Sequence, residues 1–583
     1  MPVENAFRVM IVDLGEGHGE VLEFGECDRL GGGSGLCAAL YEAYGLPAEP
    51  AEHPGQPLIF AIGPLTGYFP LMSKVVCGFK SPYHEQYAES HAGGRLALAL
   101  RFCDLDALVV RGVARHPSCL VIGSRRIDVA DVHYLWGRDS LETGKLLRKI
   151  FPACPGHRSI LRIGPAGERR VAYASINVDT FRHFGRLGAG AVMGSKLLKG
   201  IVVQGDLDLP LPEGKEYPRL YRSVYEQLTT TPMMSKYHDL GTAANLSVLN
   251  TRRMLPWRNL QQTHDPEIDG ISGERFGDEL LLRQTACAGC PVGCIHIGLL
   301  RERFADEHHF QYRQVSYDYE PIFAMGSMLG VASASAVLSL LYEVERQGLD
   351  VMSTGVALAW ATEARDQGLI GDDETLVALS FGDAQAYLPA VRHLGSSTNA
   401  FYELLGRGTA RAARQYGGED FACVLGQEMA GYATGEVFYA AQSLGFRHSH
   451  LDSGGYAFDQ KNSGQDAAAA VRFLIEDERE RCLLTSMVAC LFARDIYHRK
   501  LLAEALASIG QPSVARNLDA VAREVQRARW RLRRATGFRP EEISIPRRLT
   551  EVITDRGPID TAYLDQVRSA YAVAIGGLAE ERD

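Results

Sequence analysis

The sequence contains no long uncharged hydrophobic run, so it offers none of the stretches of roughly 18 apolar residues that a membrane-spanning helix needs. It also lacks an excess of basic residues, since 61 Lys and Arg stand against 71 Asp and Glu and give a net charge of -10. This balance argues against nucleic acid as the main partner. We therefore expect no membrane span and no nucleic-acid partner.

The opening residues, MPVENAFRVMIVDLGEG, lack the basic segment and apolar core of a secretory signal, and they lack a twin-arginine motif. A cytoplasmic location is therefore expected, where thiols stay reduced. The 12 cysteines are then free thiols or metal ligands. For the isolated ones the ordinary interpretation is a small buried apolar side chain; they are Cys27, Cys37, Cys77, Cys103, Cys119, Cys154, Cys423 and Cys482.

The 583 residues exceed what one core usually holds and predict about two to four domains. Residues 1–210 are rich in short β-branched and aromatic runs, such as PLIFAIGPL and GIVVQGDL, which predict strands. Four glycine clusters lie in the same region: LGGGSGL, GPLTG, AGGR and RLGAGAVMGSK. Because glycine allows close backbone approach, they predict a surface that cradles a ligand, with tight turns as the alternative.

From residue 211 the apolar spacing becomes helical. ASASAVLSLLYEVERQG and TGVALAWATEARDQG predict helices that end at Gly348 and Gly368. The segment from GQDAAAAVRFLIEDERERCLL to HRKLLAEAL predicts one or two long helices. The basic stretch AREVQRARWRLRRATGFRPEEISIPRRL predicts a solvated helix face or a docking surface for an acidic electron-transfer partner.

The most informative motif is CAGCPVGC, which holds Cys287, Cys290 and Cys294. Structural zinc and iron–sulfur clusters both take four thiolates, so a fourth ligand must lie elsewhere. Zinc sites more often combine two CxxC pairs, and no second pair is present, whereas a compact trio with a remote cysteine is a known cluster arrangement. The spacing favours a cluster and leaves zinc or coincidence open.

The fourth ligand should be remote in sequence, because no cysteine lies between Cys294 and Cys423. The candidates are Cys423, Cys482 and Cys490. Cys423 is in the apolar, strand-like run FACVLG and is expected in the core. Cys482 and Cys490 fall on a predicted helix about 80° apart around its axis, so both could not easily reach one cluster.

Taken together, these motifs resemble the tungsten-containing aldehyde:ferredoxin oxidoreductases, a family that binds a bis-pterin tungsten cofactor beside a [4Fe–4S] cluster. The resemblance covers nearly the whole chain. Its segments are, in order, PLIFAIGPLTG, HAGGRLALALRFCDLDALVVRGVA, RIGPAGERRVAYASINVDTFRHFGRLGAGAVMGSKLLKGIVV, CAGCPVGC, YDYEPIFAMGSMLG, ERQGLDVMSTG and RRATGFRPEEISIPRRL.

The resemblance implies an α+β fold. A β-rich base of two twisted sheets over residues 1–210 would cradle the pterins. Two mainly helical domains, over residues 211–415 and 416–583, would close over it. The first helical domain would carry the three-cysteine motif and the first pterin motif, and the second would carry the fourth cluster cysteine.

The resemblance also implies the cofactor ligands. TSMVAC occupies the position of the family's DxxGLC motif, so the cluster ligands would be Cys287, Cys290, Cys294 and Cys490. Cations and N–H groups suit pterin phosphates, and carboxylates suit ring N–H donors; the matching positions are Lys74, His91, Gly93, Gly94, Arg186, Leu187, Gly188, Glu345, Asp350 and Thr485. A Mg²⁺ ion bridging the phosphates is a further expectation.

Several positions depart from the family pattern. Thr485 stands for the acid of DxxGLC and Val488 for its glycine. Lys74 stands where an arginine is usual, and His91 where an asparagine is usual. LGGGSGL lacks the arginine of the family's GGRG segment. The chain is therefore expected to be a divergent member.

The implied reaction interconverts an aldehyde and a carboxylic acid at tungsten or molybdenum. Only one cluster motif is present, so electrons would pass to a ferredoxin or a small multi-cluster subunit, in a homo-oligomer or hetero-complex. Glu320 of YDYEP is the expected proton-handling carboxylate. GFRHSHLDSGG offers His448 and His450, and the family's glycine-led histidine segment favours His448.

Two other functions remain open at this point. One is the catalytic subunit of a larger complex for aromatic-ring or acid reduction, which the departures permit. The other is a cofactor-free scaffold with a four-cysteine zinc site. Metal content separates the scaffold from the enzymes, and substrate turnover separates the two enzymes.

Overall fold

A computed structural model describes residues 5–152, 157–304, 309–462 and 464–580. Its N-terminal part contains two six-stranded sheets, which confirms the predicted β-rich base of an α+β fold. In pairing order, the first sheet contains His18–Gly25, Ala6–Asp13, Ala107–Arg111, Leu58–Ala61, Val75–Lys80 and Tyr87–Ala92. The second contains Arg182–Phe184, Ile176–Val178, His157–Arg162, Leu198–Gly205, Ser118–Gly123 and Arg126–Asp131.

Both sheets mix parallel and antiparallel pairs and pack on a shared apolar core. Strands such as Leu58–Ala61 and Val75–Lys80 are buried at every position, as continuous apolar runs predict for strands covered on both faces. Phe60 of the first sheet packs against Phe184 of the second, with ring centroids 5.5 Å apart. The edge strand Tyr87–Ala92 of the first sheet also contacts the edge strand Arg182–Phe184 of the second sheet.

The rest of the described chain is mainly helical, as predicted. The longer helices are Gly33–Tyr44, Ser140–Ile150, Glu216–Thr230, Ala334–Gln347, Val351–Asp366, Ala384–Ser396, Thr409–Tyr416, Glu436–Leu444, Ala467–Ser486, Arg499–Ser508, Leu518–Ala535 and Thr561–Glu580. Two predicted helix ends agree with the structure. Gly348 caps the helix Ala334–Gln347 at a φ of 72°, and Gly368 follows the helix Val351–Asp366 at a φ of 72°.

A three-stranded antiparallel sheet interrupts the helical region and was not predicted. Its strands are Leu281–Thr285, Ile295–Arg303 and Phe310–Tyr317, with a two-stranded pair, Ile553–Thr554 and Gly557–Pro558, near the C-terminus. The three-cysteine motif is the loop between the first two strands of this sheet, so the sheet fixes both ends of that loop.

The expectation that Cys482 and Cys490 share a helix was wrong. The helix Ala467–Ser486 ends before Cys490, which precedes a short turn of 3-10 helix, Leu491–Ala493. The chain turns at Val488, whose φ is +54°. An angular separation around one helix therefore cannot decide between the two cysteines.

The basic stretch near the C-terminus is not a fully solvated helix face. Its first half, residues 522–535, lies in the helix Leu518–Ala535, in which Arg529 and Arg533 are buried. The isolated cysteines Cys27, Cys37, Cys77, Cys103, Cys119, Cys423 and Cys482 are buried as expected, while Cys154 lies outside the described residues.

No single helix within the described ranges is long and apolar enough to cross a membrane. One pair, Tyr319–Leu329 with Ala334–Gln347, reaches the required length and composition only when its members are taken together, and it is bent by 110° at the break.

Candidate functional site

One cavity of about 730 Å³ lies where the two large sheets, the three-stranded sheet and the helical region meet. Most of the residues proposed from the sequence line it. They are Lys74, His91, Arg186, Leu187, Cys287, Cys290, Cys294, Glu320, Glu345, Asp350, Thr485 and Cys490. Of the proposed catalytic pair, Glu320 lines the cavity and His448 does not.

The four proposed cluster cysteines come together through the backbone of one residue. Leu71 N–H donates to the carbonyl of Gly289, in the three-cysteine loop, at 3.4 Å, and the Leu71 carbonyl accepts from Cys490 N–H at 2.9 Å. All four cysteines are half-buried at the cavity wall. Leu71 therefore holds the remote cysteine beside the loop that carries the other three.

The two competing cysteines point elsewhere. The Cys423 thiol donates to the Asn259 carbonyl at 3.6 Å, and the Cys482 sulfur lies 2.8 Å from Arg529 Nη1. Neither lines the cavity. Within the described part of the chain, no three His, Cys, Asp or Glu side chains converge to hold a single metal ion. The four cysteines of the proposed cluster all line the cavity.

Two cations lie among these thiols. Burial works against the charge of Lys74, but the Cys490 and Cys287 thiols raise its pKa. Burial also opposes ionisation of Cys287, but Arg182 and Lys74 lower the pKa of its thiol. Burial raises the pKa of the Cys290 thiol to about 12 and that of the Cys294 thiol to about 11, so the two cations favour the thiolate, the form that binds iron, at Cys287 alone.

The close approach of Cys287 and Lys74 to residue 93 requires a glycine at that position. A Cβ added there would lie 2.5 Å from the Cys287 sulfur and 3.4 Å from Lys74 Nζ. The neighbouring Gly94 has a φ of +105°, a conformation that favours glycine, and its carbonyl accepts from Ala288 N–H at 3.0 Å. The AGGR cluster therefore lets the cysteine loop approach the first sheet.

Other glycine clusters serve the protein's own packing rather than an open surface. A Cβ at Gly33 would lie 2.2 Å from the Thr485 carbonyl oxygen, and one at Gly63 would lie 2.7 Å from the carbonyl group of Met487. Gly33 and Gly63 therefore allow the backbone of residues 485–487, just before Cys490, to pack closely against the first sheet region. Leu187 and Gly188 also have positive φ, and the Leu187 carbonyl accepts from the Ser81 hydroxyl at 2.7 Å.

An acid–histidine pair lies at the cavity wall. Its acid, Glu320, is in the first turn of the helix Tyr319–Met325. Glu320 Oε1 accepts from the Tyr432 hydroxyl at 3.0 Å and pairs with His450 Nε2 at 3.0 Å. Burial opposes the charge of Glu320, but His450 lowers its pKa, while burial and Glu320 raise the pKa of Asp318 to about 7. The site therefore places an ionised carboxylate beside an acid that holds its proton more tightly.

The structure does not bring His448 to Glu320. His448 faces the Gln442 carbonyl and the Arg533 guanidinium, and burial together with Arg533 places its pKa well below the usual value. Its backbone is left-handed, with a φ of +50°, and His450, two residues further on, lines the cavity instead. The buried Nδ1 of His450 has no partner among the described residues.

Glu345 and Asp350, the acids of the first pterin motif, have different surroundings. Glu345 accepts from Asn177 Nδ2 at 2.8 Å and pairs with His183 Nε2 at 2.7 Å. Asp350 caps the helix Val351–Asp366 through the N–H groups of Met352 and Ser353. These two acids with Asn177, His183 and Arg186 are called the Glu345 group below.

Arg186 connects the Glu345 group to the cavity. Its Nε lies 3.2 Å from Asp350 Oδ2, and its Nη2 donates to the Glu428 carbonyl at 2.7 Å. Its buried Nη1 has no partner in the part of the chain that the structure describes. An unpaired guanidinium N–H on a cavity wall suits an anionic group such as a phosphate.

Sequence reasoning missed Arg182, His183, Glu89, Tyr432 and the role of His450. Three of these residues had a signal in the sequence. Arg182 and His183 lie within DTFRHFGRLG, inside the longest matching segment, and Glu89 precedes His91 by two positions, which in a strand puts both on one face. Nothing local in the sequence indicates Tyr432.

Two family models match the sequence: Aldehyde ferredoxin oxidoreductase, N-terminal domain, over residues 9–205, and Aldehyde ferredoxin oxidoreductase, domains 2 & 3, over residues 219–574. A tungsten-containing aldehyde ferredoxin oxidoreductase of Thermococcus kodakarensis is 31% identical over 428 residues, which cover 71% of this chain and 68% of that protein.

Two further relatives are informative. A protein of Pyrococcus furiosus named aliphatic sulfonate oxidoreductase, WOR-like subunit, is 31% identical over 373 residues, covering 61% of this chain and 58% of that one. The active-site complex BamBC of benzoyl coenzyme A reductase with 1,5-dienoyl-CoA superimposes with a TM-score of 0.78. It covers 98% of this chain and 95% of that chain at 18% identity, so it shows a shared fold.

Proposed function

The chain belongs to the aldehyde ferredoxin oxidoreductase family and is an oxidoreductase, and on this premise we propose that it interconverts an aldehyde and a carboxylic acid at a tungsten bis-pterin centre. Electrons would pass through one [4Fe–4S] cluster to a ferredoxin-like partner. The observation that carries this proposal is that one cavity is lined by four cysteines, by cations and by a buried acid–histidine pair.

The residues present fit both cofactors. Cys287, Cys290, Cys294 and Cys490 would hold the cluster, with Lys74 and Arg182 balancing their charge. Arg186 has an unpaired N–H for a pterin phosphate, and Glu345 offers a carboxylate to ring N–H donors. A Mg²⁺ ion is also part of the proposed cofactor set.

When bound, the metal centre, tungsten or molybdenum, would supply two-electron redox chemistry at the aldehyde carbon, and the cluster would pass electrons on singly. An aldehyde and water give a carboxylic acid, two electrons and two protons. Glu320 would orient the water and accept a proton at Oε2, since Oε1 is held by Tyr432 and His450. His450 would then hold or pass on a proton through its unpaired Nδ1.

We assign the histidine role to His450 rather than His448. His450 lines the cavity and contacts the proposed base, whereas His448 is enclosed by Arg533 and backbone carbonyls. A histidine that cannot reach the reacting group cannot exchange protons with it.

The exposed tip of the cysteine loop supports an external electron partner. Gly289 is exposed between half-buried Cys287 and Cys290, so an iron–sulfur protein could approach the proposed cluster closely. A ferredoxin or a small multi-cluster subunit fits this role, in a homo-oligomer or a hetero-complex.

A second candidate is a reductive or sulfonate-directed reaction in a larger complex. The uncharged Thr485, in place of the acid of the second pterin motif, favours it, because that change alters the polarity beside the proposed centre. The relative named aliphatic sulfonate oxidoreductase adds sulfonates to the substrates worth testing.

Metal, iron and pterin content of chain purified without oxygen tests the proposal first. We expect about one tungsten or molybdenum, two pterins and four irons per chain. Aldehydes should then reduce a viologen dye or ferredoxin, and sulfonates, aromatic thioesters and carboxylic acids serve as the competing substrates. Absence of pterin would refute the cofactor assignment, and activity with a competing class alone would select the second candidate.

A further inference from the structure

Two positions at which the sequence departs from its family lie in contact with each other. The segment LGGGSGL lacks the family's arginine and presents Ser34, and Thr485 stands for the acid of the second pterin motif. Ser34 Oγ lies 2.9 Å from Thr485 Oγ1, although the residues are 451 positions apart in sequence. A charged residue is thus missing on both sides of one contact.

A carboxylate from a third segment meets the same hydroxyl. Ser34 Oγ donates to Glu89 Oε2 at 2.8 Å, so Ser34 joins Glu89 to Thr485. We call Ser34, Glu89, His91 and Thr485 the Thr485 group. Glu89 is 1% exposed, in the middle of the edge strand Tyr87–Ala92.

The buried charge of Glu89 has a dedicated partner. Arg529 Nε lies 3.1 Å from Glu89 Oε1, and His91 Nε2 donates to Oε2 at 3.1 Å. Burial opposes ionisation of Glu89, but Arg529 lowers its pKa. Removing one member of such a buried pair is destabilising, because it leaves the other charge without its partner.

Glu89 faces the cavity, with Arg529 behind it. Glu89, His91 and Thr485 all line the cavity, and Arg529 does not. Oε2 already accepts from two donors, whereas Oε1 has only a 3.4 Å bond from the Tyr87 hydroxyl besides the charge of Arg529. Oε1 therefore keeps the capacity to accept an N–H from a ligand.

We propose that Glu89 takes the place of the missing motif acid and accepts the ring N–H groups of the pterin that lies beside the cluster. The inference rests on the proposed function and deepens it, because it names which residue holds one of the two pterins. Ser34 and Thr485 then hold Glu89 in position, and Arg529 keeps it charged.

Glu89→Gln tests this directly, since it keeps the shape and removes the charge and one acceptor. Pterin released from the purified chain by denaturation and oxidation should fall by about half or more, because the bonds lost are charge-assisted. Introducing Thr485→Asp into Glu89→Gln should restore pterin, because it returns an acid to the position where the family has it.

The matched control is Glu478→Gln. Glu478 is 1% exposed and also close to Arg529, with bonds from Gln526 and Trp530, but it does not line the cavity. It should keep wild-type pterin content. Circular dichroism and iron content show whether each variant is folded and retains its cluster.

Three results would overturn the inference: wild-type pterin content in Glu89→Gln, an equal loss in Glu478→Gln, or no recovery in the double variant. A wild-type chain without pterin would overturn the proposed function itself. The two failures are therefore distinguishable by the wild-type measurement alone.

Discussion

The two segments that resemble pterin motifs are built in different ways. In the Glu345 group, both acids come from the motif itself, at the end of the helix Ala334–Gln347 and the start of the next helix. In the Thr485 group, the motif provides a hydroxyl, and the carboxylate comes from Glu89 in the first sheet. A local motif and a contact between distant segments can thus present the same chemistry to one cavity.

The last position of each motif shows the same contrast. Asp350 caps a helix and pairs with Arg186, so its carboxylate serves the fold. Cys490 occupies the equivalent place after Thr485, where no long helix follows, and its thiol is free to face the cysteine loop. The same spacing therefore gives a helix cap in one case and a candidate metal ligand in the other.

Cys490→Ala should have the largest effect, because it removes the proposed fourth cluster ligand, and the other three cysteines that line the cavity are already assigned to the cluster. We expect the [4Fe–4S] signal in electron paramagnetic resonance to disappear and iron content to fall. Cys482→Ala is the control, since that thiol faces Arg529, and it should keep the signal. Loss of the signal only in the control would move the fourth ligand to Cys482.

Glu320→Gln should have the second largest effect. Turnover should fall roughly 10²-fold or more, while metal, pterin and iron are retained. Glu320 belongs to neither motif, so this variant separates proton handling from cofactor retention. His450→Asn should behave alike, because it removes the partner at 3.0 Å.

His448→Asn is the matched comparison, since it lies two positions from His450 but does not line the cavity. Its turnover should stay closer to wild type. A defect in His448→Asn with normal turnover in His450→Asn would reverse the assignment of this pair.

Local patterns were sufficient for the order of the fold. Short β-branched runs predicted a β-rich N-terminal region, the resemblance implied its two sheets, and Gly348 and Gly368 marked helix ends because left-handed backbone favours glycine there. The three-cysteine motif was recognised from its spacing, and TSMVAC from its resemblance to the family's DxxGLC motif. Each of these signals lies within a few neighbouring residues.

The remaining features depend on backbone turns and long-range contacts. His448 and His450 are two residues apart, and the sequence shows neither the positive φ of His448 nor that His450 is the one that pairs with Glu320. The three-stranded sheet was not predicted, because its strands lack a strong alternation of apolar and polar residues. It forms through strand pairing that holds the cysteine loop. Ser34 meets Thr485 across 451 positions, which no local pattern can express.

Glu345→Gln should reduce pterin content by about half, because it weakens a carboxylate that can accept ring N–H donors. The control is Glu343→Gln on the same helix. Glu343 is 2% exposed and pairs with Arg346 and Arg392, but it does not line the cavity. Equal pterin loss in both variants would assign the effect to helix stability instead.

The smallest effects should come from two buried serines that each donate to a carboxylate, Ser34 in the Thr485 group and Ser353 beside Asp350. Ser34→Ala removes the link between Glu89 and Thr485 and should lower local stability by about 1.5–3 kcal/mol, the usual range for a bond to a charged group. Ser353→Ala removes one donor to Asp350, which keeps two backbone donors and Arg186. Its cost should be about 1 kcal/mol or less, because alanine also favours the helix.

Hydrogen exchange measured over residues 482–490 and 350–356 reports these local free energies separately. Faster exchange in the first segment of Ser34→Ala than in the second segment of Ser353→Ala would agree with the contrast between the motifs. An equal or opposite ranking would mean that the contact assembled from distant segments is no more dependent on its hydroxyl link than the local motif is, and the proposed positioning of Glu89 by Ser34 would then be wrong.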